Sequence, residues 1–463
     1  MNKERVAIVG AGLCGTLLAL RLGQRGYTVD LYERRPDLRK TDLAAGRSIN
    51  LALSDRGLRA LDMVGAKDRM KDQIIPMKGR MLHDTAGKTK LSPYSGRQGE
   101  HINSVSRSGL NAELLNMADE WPEVTLYFDQ ACSRYDIDSG TLEFTTPQGK
   151  TTKKSYDLVF GADGAGSVIR SSFLARSNQI RFDFEQKFLS HGYKELEFPA
   201  TPEGDFAVAS HALHIWPRDE FMMIALPNLD KSFTVTLFQD YEGAQGFNAL
   251  QSNQQIQSFF EEHFPDAIPH MPNLLRDFRE NPTSSLGTIK CAPWHIEDKV
   301  LMVGDAVHAI VPFYGQGMNC AFEDITVLDQ FMDDYNENWS EIFPAYSQDR
   351  KKDTDAIADL ALDNFHEMQD HVNDENFSKK RSLEMFFENT YSDYFSKYSL
   401  VTFRADVPYH RAMVQGRYQD KYLLDAVDSY SSIENMDKDS IYRNLMEAVA
   451  KKWGPLPSTE TIS

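Results

Sequence analysis

The stretch from Arg5 to Arg35, RVAIVGAGLCGTLLALRLGQRGYTVDLYERR, constrains the fold more tightly than any other part of the chain. Val6 to Val9 is a short apolar run rich in β-branched residues and reads as a buried strand, and Gly10, Gly12 and Gly15 then supply G-x-G-x-x-G. Leu17 to Leu22 has a helical pattern, and Tyr27 to Tyr32 reads as a second strand ending on Glu33. Each part has a physical reason. The first glycine permits the tight turn, the second lets a pyrophosphate approach the backbone, and the third lets helix and strand pack closely, while the helix N-terminus turns free N–H groups toward the anion. Glu33 follows Gly15 by 18 residues, where a carboxylate can accept from an adenosine ribose. A secretory signal would also begin basic and continue apolar, but it leaves the glycine spacing, Arg21 and Arg25 unexplained.

With 463 residues and 41% hydrophobic content, the chain is long enough for two or three domains with sizeable cores. Its net charge of −18 opposes nucleic acid or an anionic membrane as a bulk partner, so an anionic ligand must be held by local cations. The four cysteines, Cys14, Cys132, Cys291 and Cys320, show no C-x-x-C spacing and accompany no His cluster, so neither a disulfide framework nor a metal site is expected. A cytoplasmic setting fits that usage. No stretch approaches 18 uninterrupted apolar residues, and the expectation is a chain with no membrane anchor.

Further along, Gly79 to His83 and Leu91 to Tyr94 read as a strand pair about a turn at Ala86-Gly87, with Arg80 and Tyr94 on it. Ser104 to Met117 reads as a helix with Arg107 in its first turn, and Ser155 to Phe160 as a strand feeding Gly161-Ala162-Asp163-Gly164 and a helix from Val168 to Leu174. Between His191 and Asp240 the period changes: Tyr193–Phe198, Ala212–Trp216, Phe221–Leu226 and Ser232–Phe238 are β-rich runs separated by turn residues, which predicts an antiparallel sheet inserted into the first domain. Lys299 to Val303 is another buried strand, followed by Gly304-Asp305 and by a loop with Gly315 and Gly317 that leads into a helix near Met318. From Pro344 to Lys452 the pattern is mostly helical.

Three separated glycine–acid motifs in this order resemble those of the FAD-dependent single-component aromatic hydroxylases. The segments R-S-I-N-L-A-L at Arg47–Leu53, G-R-M at Gly79–Met81, H-G-Y-K-E-L at His191–Leu196, P-F-Y-G-Q-G-M-N at Pro312–Asn319 and Y-S-L-V-T-F at Tyr398–Phe403 are similar to the branch of that family acting on L-kynurenine. The resemblance implies an α/β fold: a Rossmann-like FAD-binding domain (1–178 and 291–340, with 76–99 contributing to the substrate site), an inserted antiparallel-sheet substrate domain (179–290) and a C-terminal helical layer (341–463). It implies bound FAD with NADPH and O2 as co-substrates, oxygen being activated at the flavin and delivered to the ring carbon ortho to an aniline nitrogen. No obligatory protein base is expected, because that nitrogen already enriches the carbon.

The cofactor contacts implied are Gly10, Gly12, Leu13, Gly15, Glu33, Arg34, Arg107, Asp163, Asp305, Gly315, Gly317, Met318 and Asn319. The substrate contacts implied are Arg80, Tyr94, Asn364 and Tyr398 for the amino-acid end, and Leu213, Met222, Leu226, Phe238, Phe313 and Met368 for the ring. Tyr314 stands where bacterial relatives carry His, so no imidazole role is assigned there, and His308 and Cys320 are expected to be packed side chains. The resemblance leaves open whether the protein is a monomer or a homodimer. Two other functions keep the fold: hydroxylation of another aromatic substrate, and a non-catalytic FAD sensor. A flavin halogenase would need W-x-W-x-I-P, which the five scattered tryptophans cannot form.

Overall fold

Six strands form a sheet in the order His295–Ile296, Val300–Met302, Leu158–Gly161, Arg5–Val9, Thr28–Tyr32 and Val124–Tyr127. All neighbours are parallel except the first pair. The computed structural model describes residues 3–40, 50–370 and 375–457, the side chains of 366 and 368–370 excepted. Two compact units emerge: Met1–Ile74, Val105–Phe188 and Gly287–Ala358 make the first, and Ile75–Ser104, Leu189–Leu286 and Asp359–Ser463 the second.

In the first unit the central strands are buried on both faces, Val6, Ala7, Ile8 and Phe160 being fully enclosed, which is why they read as continuous apolar runs. The helix Leu13–Gln24 packs beside Arg107–Asp119 and Gly317–Asp334, and Asp329 ties it down by accepting from Arg21 at 2.7 and 2.8 Å and from Arg25 at 2.5 Å. Registers decide what this sheet presents. Val9 lies opposite both Tyr32 and Gly161, and Gly161 lies opposite Met302. The residues that follow these strand ends, Gly10–Gly15, Glu33, Ala162-Asp163 and Gly304-Asp305, therefore leave the sheet at one edge, the carboxyl edge where open α/β sheets bind ligands.

The single strand expected over Ser155–Phe160 is two strands, Thr151–Ser155 and Leu158–Gly161. The chain breaks at Tyr156 and Asp157, whose side chains bond Asp30 at 2.6 Å and the Arg5 amide at 3.3 Å. Thr151–Ser155 joins Thr141–Thr145 and Ala131–Asp136 in a separate three-stranded sheet. The helix expected from Ser104 starts at Arg107, after a strand over Ile102–Ser106, and Ser106 caps it by accepting from the Gly109 amide.

In the second unit, His191–Phe198 of the long strand Asp183–Phe198 pairs with Phe233–Asp240, followed across the sheet by Phe221–Pro227, Ala212–Arg218, Gly79–His83 and Thr89–Pro93. The pleat separates its faces. Phe221, Met223 and Ala225 with Phe233, Val235 and Leu237 pack on two helices, Asn253–His263 and Leu274–Glu280, around Phe260, Phe264 and Phe278. The helices Glu375–Thr390, Tyr409–Asp428 and Lys438–Trp453 share another core around Leu383, Phe387, Leu423 and Leu445. Among the described residues no helix is long and apolar enough to cross a membrane.

Candidate active site

The glycine turn of the first unit is built so that only glycine fits twice. Gly10 has φ +103°, and a Cβ there would lie 2.4 Å from the Ala162 carbonyl oxygen; a Cβ on Gly15 would lie 2.0 Å from the Gly10 carbonyl oxygen. At Gly12 no atom of the other described residues lies within 4 Å of such a Cβ, so among the described residues the space before the helix N-terminus is open. Glu33 is buried and accepts the Ala11 amide at 3.1 Å, while its other oxygen accepts the Arg35 amide at 3.0 Å and Nε at 2.8 Å. Asn111 holds the turn from the opposite side, donating to the Ala11 carbonyl at 3.0 Å. Leu13 is half-buried at the first position of the helix, and Arg34 is exposed beside Glu33.

Asp163 accepts from the Val168 and Ile169 amides at 2.6 and 3.2 Å through Oδ2, leaving Oδ1 buried and without a partner. Burial raises its carboxyl above the ordinary range, and those amides only partly oppose the rise. Asp305 opens to solvent yet is ringed by protein atoms; that crowding pushes its carboxyl up, and the exposed Arg107 pulls it down. An acceptor left unpartnered at Asp163, an open cradle before Gly12 and a second acid at Asp305 suit a polyhydroxylated, phosphate-bearing cofactor.

Behind Asp305, Asp324 on the Gly317–Asp334 helix accepts from the Gly304 amide at 2.9 Å, His308 Nε2 at 2.6 Å and Arg350 Nε at 2.8 Å. Burial opposes its charge, but His308 and Arg350 more than compensate and hold its carboxyl below the usual range. His308, Cys320 and Asp324 approach one another closely enough for a metal, but Arg350, which also reaches Cys320 Sγ at 3.4 Å, puts a fixed cation among them. The cluster is an ion-pair hub, in line with the packed roles expected of His308 and Cys320.

The turn before that helix has Gly315 at φ +70°, with Gly317 and Met318 half-buried at the helix start. Asn319 spends its whole amide on protein, donating to Ala52 and Gly315 carbonyls at 2.8 and 3.0 Å and accepting from the Ser54 amide at 2.9 Å. Its side chain therefore shapes the loop. Phe313 and Tyr314 are buried in the short turn Pro312–Tyr314 of the same unit.

On the second unit's sheet, strand register gathers the expected substrate residues onto the face opposite the helices. Arg80 lies across from Leu213, and the His214–Ala225 pairing extends that row to Leu226; one further row joins Pro217, Met222, Phe238 and Tyr193. Met222, Leu226 and Phe238 are buried. Arg80 is half-buried, its guanidinium carbon 4.9 Å from the Tyr398 ring centre and 5.7 Å from that of Tyr94, and the two rings stack at 5.4 Å. No side-chain carboxylate among the described residues comes within 4.0 Å of Arg80. The Tyr94 hydroxyl is buried and finds no partner. Burial raises both phenols, the nearby Arg80 charge only partly opposing it, so both remain neutral donors. Asn364 is buried in the Trp339–Asp370 helix. The Met368 side chain lies outside the described residues, as does Arg47–Ile49 of the R-S-I-N-L-A-L stretch.

Behind the sheet, polar groups form a closed chain. His214 Nε2 donates to the Ala209 carbonyl at 2.7 Å, so its Nδ1 accepts from His83 Nε2 at 2.9 Å; His83 Nδ1 meets Asp266 at 2.7 Å, and Trp216 donates to the same carboxylate at 2.9 Å. Burial drives His214 down to about 4, the Ala209 bond notwithstanding.

The carboxyl-edge motifs and the platform sheet together define a flavoprotein of the FAD-dependent aromatic-hydroxylase fold. A family model described as "FAD binding domain" matches residues 3–361. A solved 2-methyl-3-hydroxypyridine-5-carboxylic acid oxygenase shares the fold with TM-score 0.64 at 22% identity, over 83% of this chain and 96% of that one. The chain is 42% identical over 453 residues to a curated kynurenine 3-monooxygenase of Flavobacterium psychrophilum, covering 97% of this chain and 100% of that protein. It is 43% identical to the Anopheles gambiae enzyme of the same name, covering 90% and 85%. The chain belongs to the kynurenine 3-monooxygenase family.

Proposed function

We propose that this protein hydroxylates L-kynurenine at ring position 3, consuming NADPH and O2 and releasing 3-hydroxy-L-kynurenine, NADP+ and water. Bound FAD supplies the redox chemistry, passing electrons from NADPH to O2 and activating the oxygen for transfer to the ring. The first unit holds it through Gly10–Gly15, Glu33, Asp163, Asp305 and the helix start after Gly315, with Arg107 alongside. The second unit binds the substrate. Arg80 pairs with the α-carboxylate in a bidentate, charge-assisted fork. Tyr94 and Tyr398 donate neutral O–H bonds, and Asn364 completes the polar end. Leu213, Met222, Leu226 and Phe238 fit the ring by shape and exclude water. No side chain need take a proton from the ring, since the aniline nitrogen already activates it. The cytoplasm suits an enzyme whose four cysteines are all free.

One observation carries the assignment of the amino-acid end: among the described residues, a cation without a carboxylate partner is set against a buried phenol without an acceptor. Both lack what a zwitterion supplies. The test is a product assay with purified protein, NADPH and L-kynurenine. The expected outcome is NADPH oxidation coupled to 3-hydroxykynurenine; hydrogen peroxide alone would make kynurenine an effector and return the substrate to another aromatic acid.

A further inference from the structure

The helix Glu375–Thr390 carries a buried carboxylate that substrate binding, as described, does not use. Glu388 is 3% exposed and accepts three hydrogen bonds: from the Gly96 amide at 2.9 Å, the Ser396 amide at 2.9 Å and the Ser399 hydroxyl at 2.6 Å. These donors come from two separate segments. Gly96 lies two residues past Tyr94, at the end of the Thr89–Pro93 strand, whereas Ser396 and Ser399 bracket Tyr398 at the start of the Lys397–Thr402 helix. Ser396 is itself the cap of that helix, accepting from the Ser399 amide. One anion therefore ties the segment of one tyrosine to the segment of the other.

The same helix grips the Tyr94 segment at a second point. Arg381 donates through Nη2 to the Pro93 carbonyl at 2.8 Å and the Tyr94 carbonyl at 2.9 Å. The close approach depends on the absence of a side chain at residue 96, for a Cβ on Gly96 would lie 2.5 Å from the Met385 carbonyl oxygen and 3.0 Å from Glu388 Cβ. Burial works against the Glu388 charge, but the Ser399, Gly96 and Ser396 bonds and the Arg381 charge outweigh it and keep the group ionised. An ionised acceptor with three donors is worth more, and is more directional, than packing alone.

We propose that Glu388 is a positioning residue of the substrate grip: it sets the spacing of Tyr94 and Tyr398 and so the aromatic slot against which Arg80 is held. The inference rests on the reading that the amino-acid end of kynurenine binds at these three residues. Two variants test it. In Glu388→Gln the new amide nitrogen faces a donor, so one of the two segments loses its partner; Ser399→Ala removes the hydroxyl's bond to Glu388 together with the bond it accepts from the Ser396 hydroxyl, and leaves the amide cap in place. For each, the kynurenine KM, the kcat and the FAD-to-protein ratio are measured, with Arg80→Ala as reference.

The expected result is a KM raised about fivefold or more, the equivalent of roughly one neutral hydrogen bond, with kcat within about twofold and FAD retained. A KM unchanged in FAD-bearing variants overturns the proposal. So does loss of FAD in both variants, which would make Glu388 an element of the fold alone. If Arg80→Ala raises KM and the Glu388 and Ser399 variants do not, only the positioning role fails; if Arg80→Ala itself leaves KM unchanged, the site assignment fails first.

Discussion

Arg80→Ala separates binding from folding. The guanidinium is half-buried beside two stacked tyrosine rings and has no carboxylate within 4.0 Å among the described residues. Removing it breaks no ion pair. What the fold loses is the cation–π contact with the Tyr94–Tyr398 pair, about 0.5–1 kcal/mol, and the Arg80 hydrogen bond to the Tyr398 hydroxyl, set against relief of a partly desolvated charge. Stability should therefore change by less than about 1 kcal/mol. Binding loses a charge-assisted, bidentate contact worth roughly 1.5–3 kcal/mol, which converts to a rise in KM of roughly 10- to 150-fold. Arg80→Lys keeps the charge but not the fork, and should fall between the two. Steady-state NADPH oxidation against kynurenine concentration measures KM, and urea unfolding followed by flavin absorbance measures the fold. A KM within twofold of the parent, or a loss of several kcal/mol of stability, would refute the assignment of Arg80 as the carboxylate anchor.

The remaining expectations concern the cradle and the sheet behind the site. Gly15→Ala places a methyl 2.0 Å from a backbone oxygen, so the purified variant should be colourless, its ratio of 450 nm to 280 nm absorbance near zero; a yellow variant would remove the turn from FAD binding. His214, held down to about 4 by burial against an unfolded value near 6.5, gives stability its acid slope. The unfolded chain binds that proton first, so the His214 contribution to stability is full above about pH 6.5 and falls by about 3 kcal/mol as pH drops to about 4. His214→Gln keeps a donor for Ala209 and an acceptor for His83, and should flatten the change in urea midpoint across that window; an unaltered slope would assign the acid sensitivity elsewhere.

The cradle is legible in the sequence because each of its three motifs is local: a strand, a glycine turn and an acid within a few residues. Hydrophobic alternation likewise marks the strands from Tyr193 to Phe238. What lies beyond local pattern is pairing. The parallel alignment of Gly79–His83 with Ala212–Arg218 joins residues over 130 positions apart, and that register is what sets Arg80 beside Leu213. The helices Asn253–His263 and Leu274–Glu280 were not expected within the sheet segment, although Ser252 and Gln255 form a capping box, a readable start signal. Asn111, Asp324 and Glu388 each hold neighbouring segments from inside a helix, where a buried polar residue has the same spacing as one facing water; only their partners distinguish them. Asn319 stands at its expected place at the helix start, its side-chain amide taken up by the Ala52, Ser54 and Gly315 backbone.

The strand order of the first sheet also dictates a timetable. Val300–Met302, which launches Gly304-Asp305, sits directly against Leu158–Gly161 and is made long after Arg5–Val9 leaves the ribosome. A nascent chain shorter than about 305 residues carries two of the three anchoring turns and lacks the third wall. A fragment ending before that point lacks both the Val300–Met302 strand and the Gly304-Asp305 turn that it launches beside Leu158–Gly161.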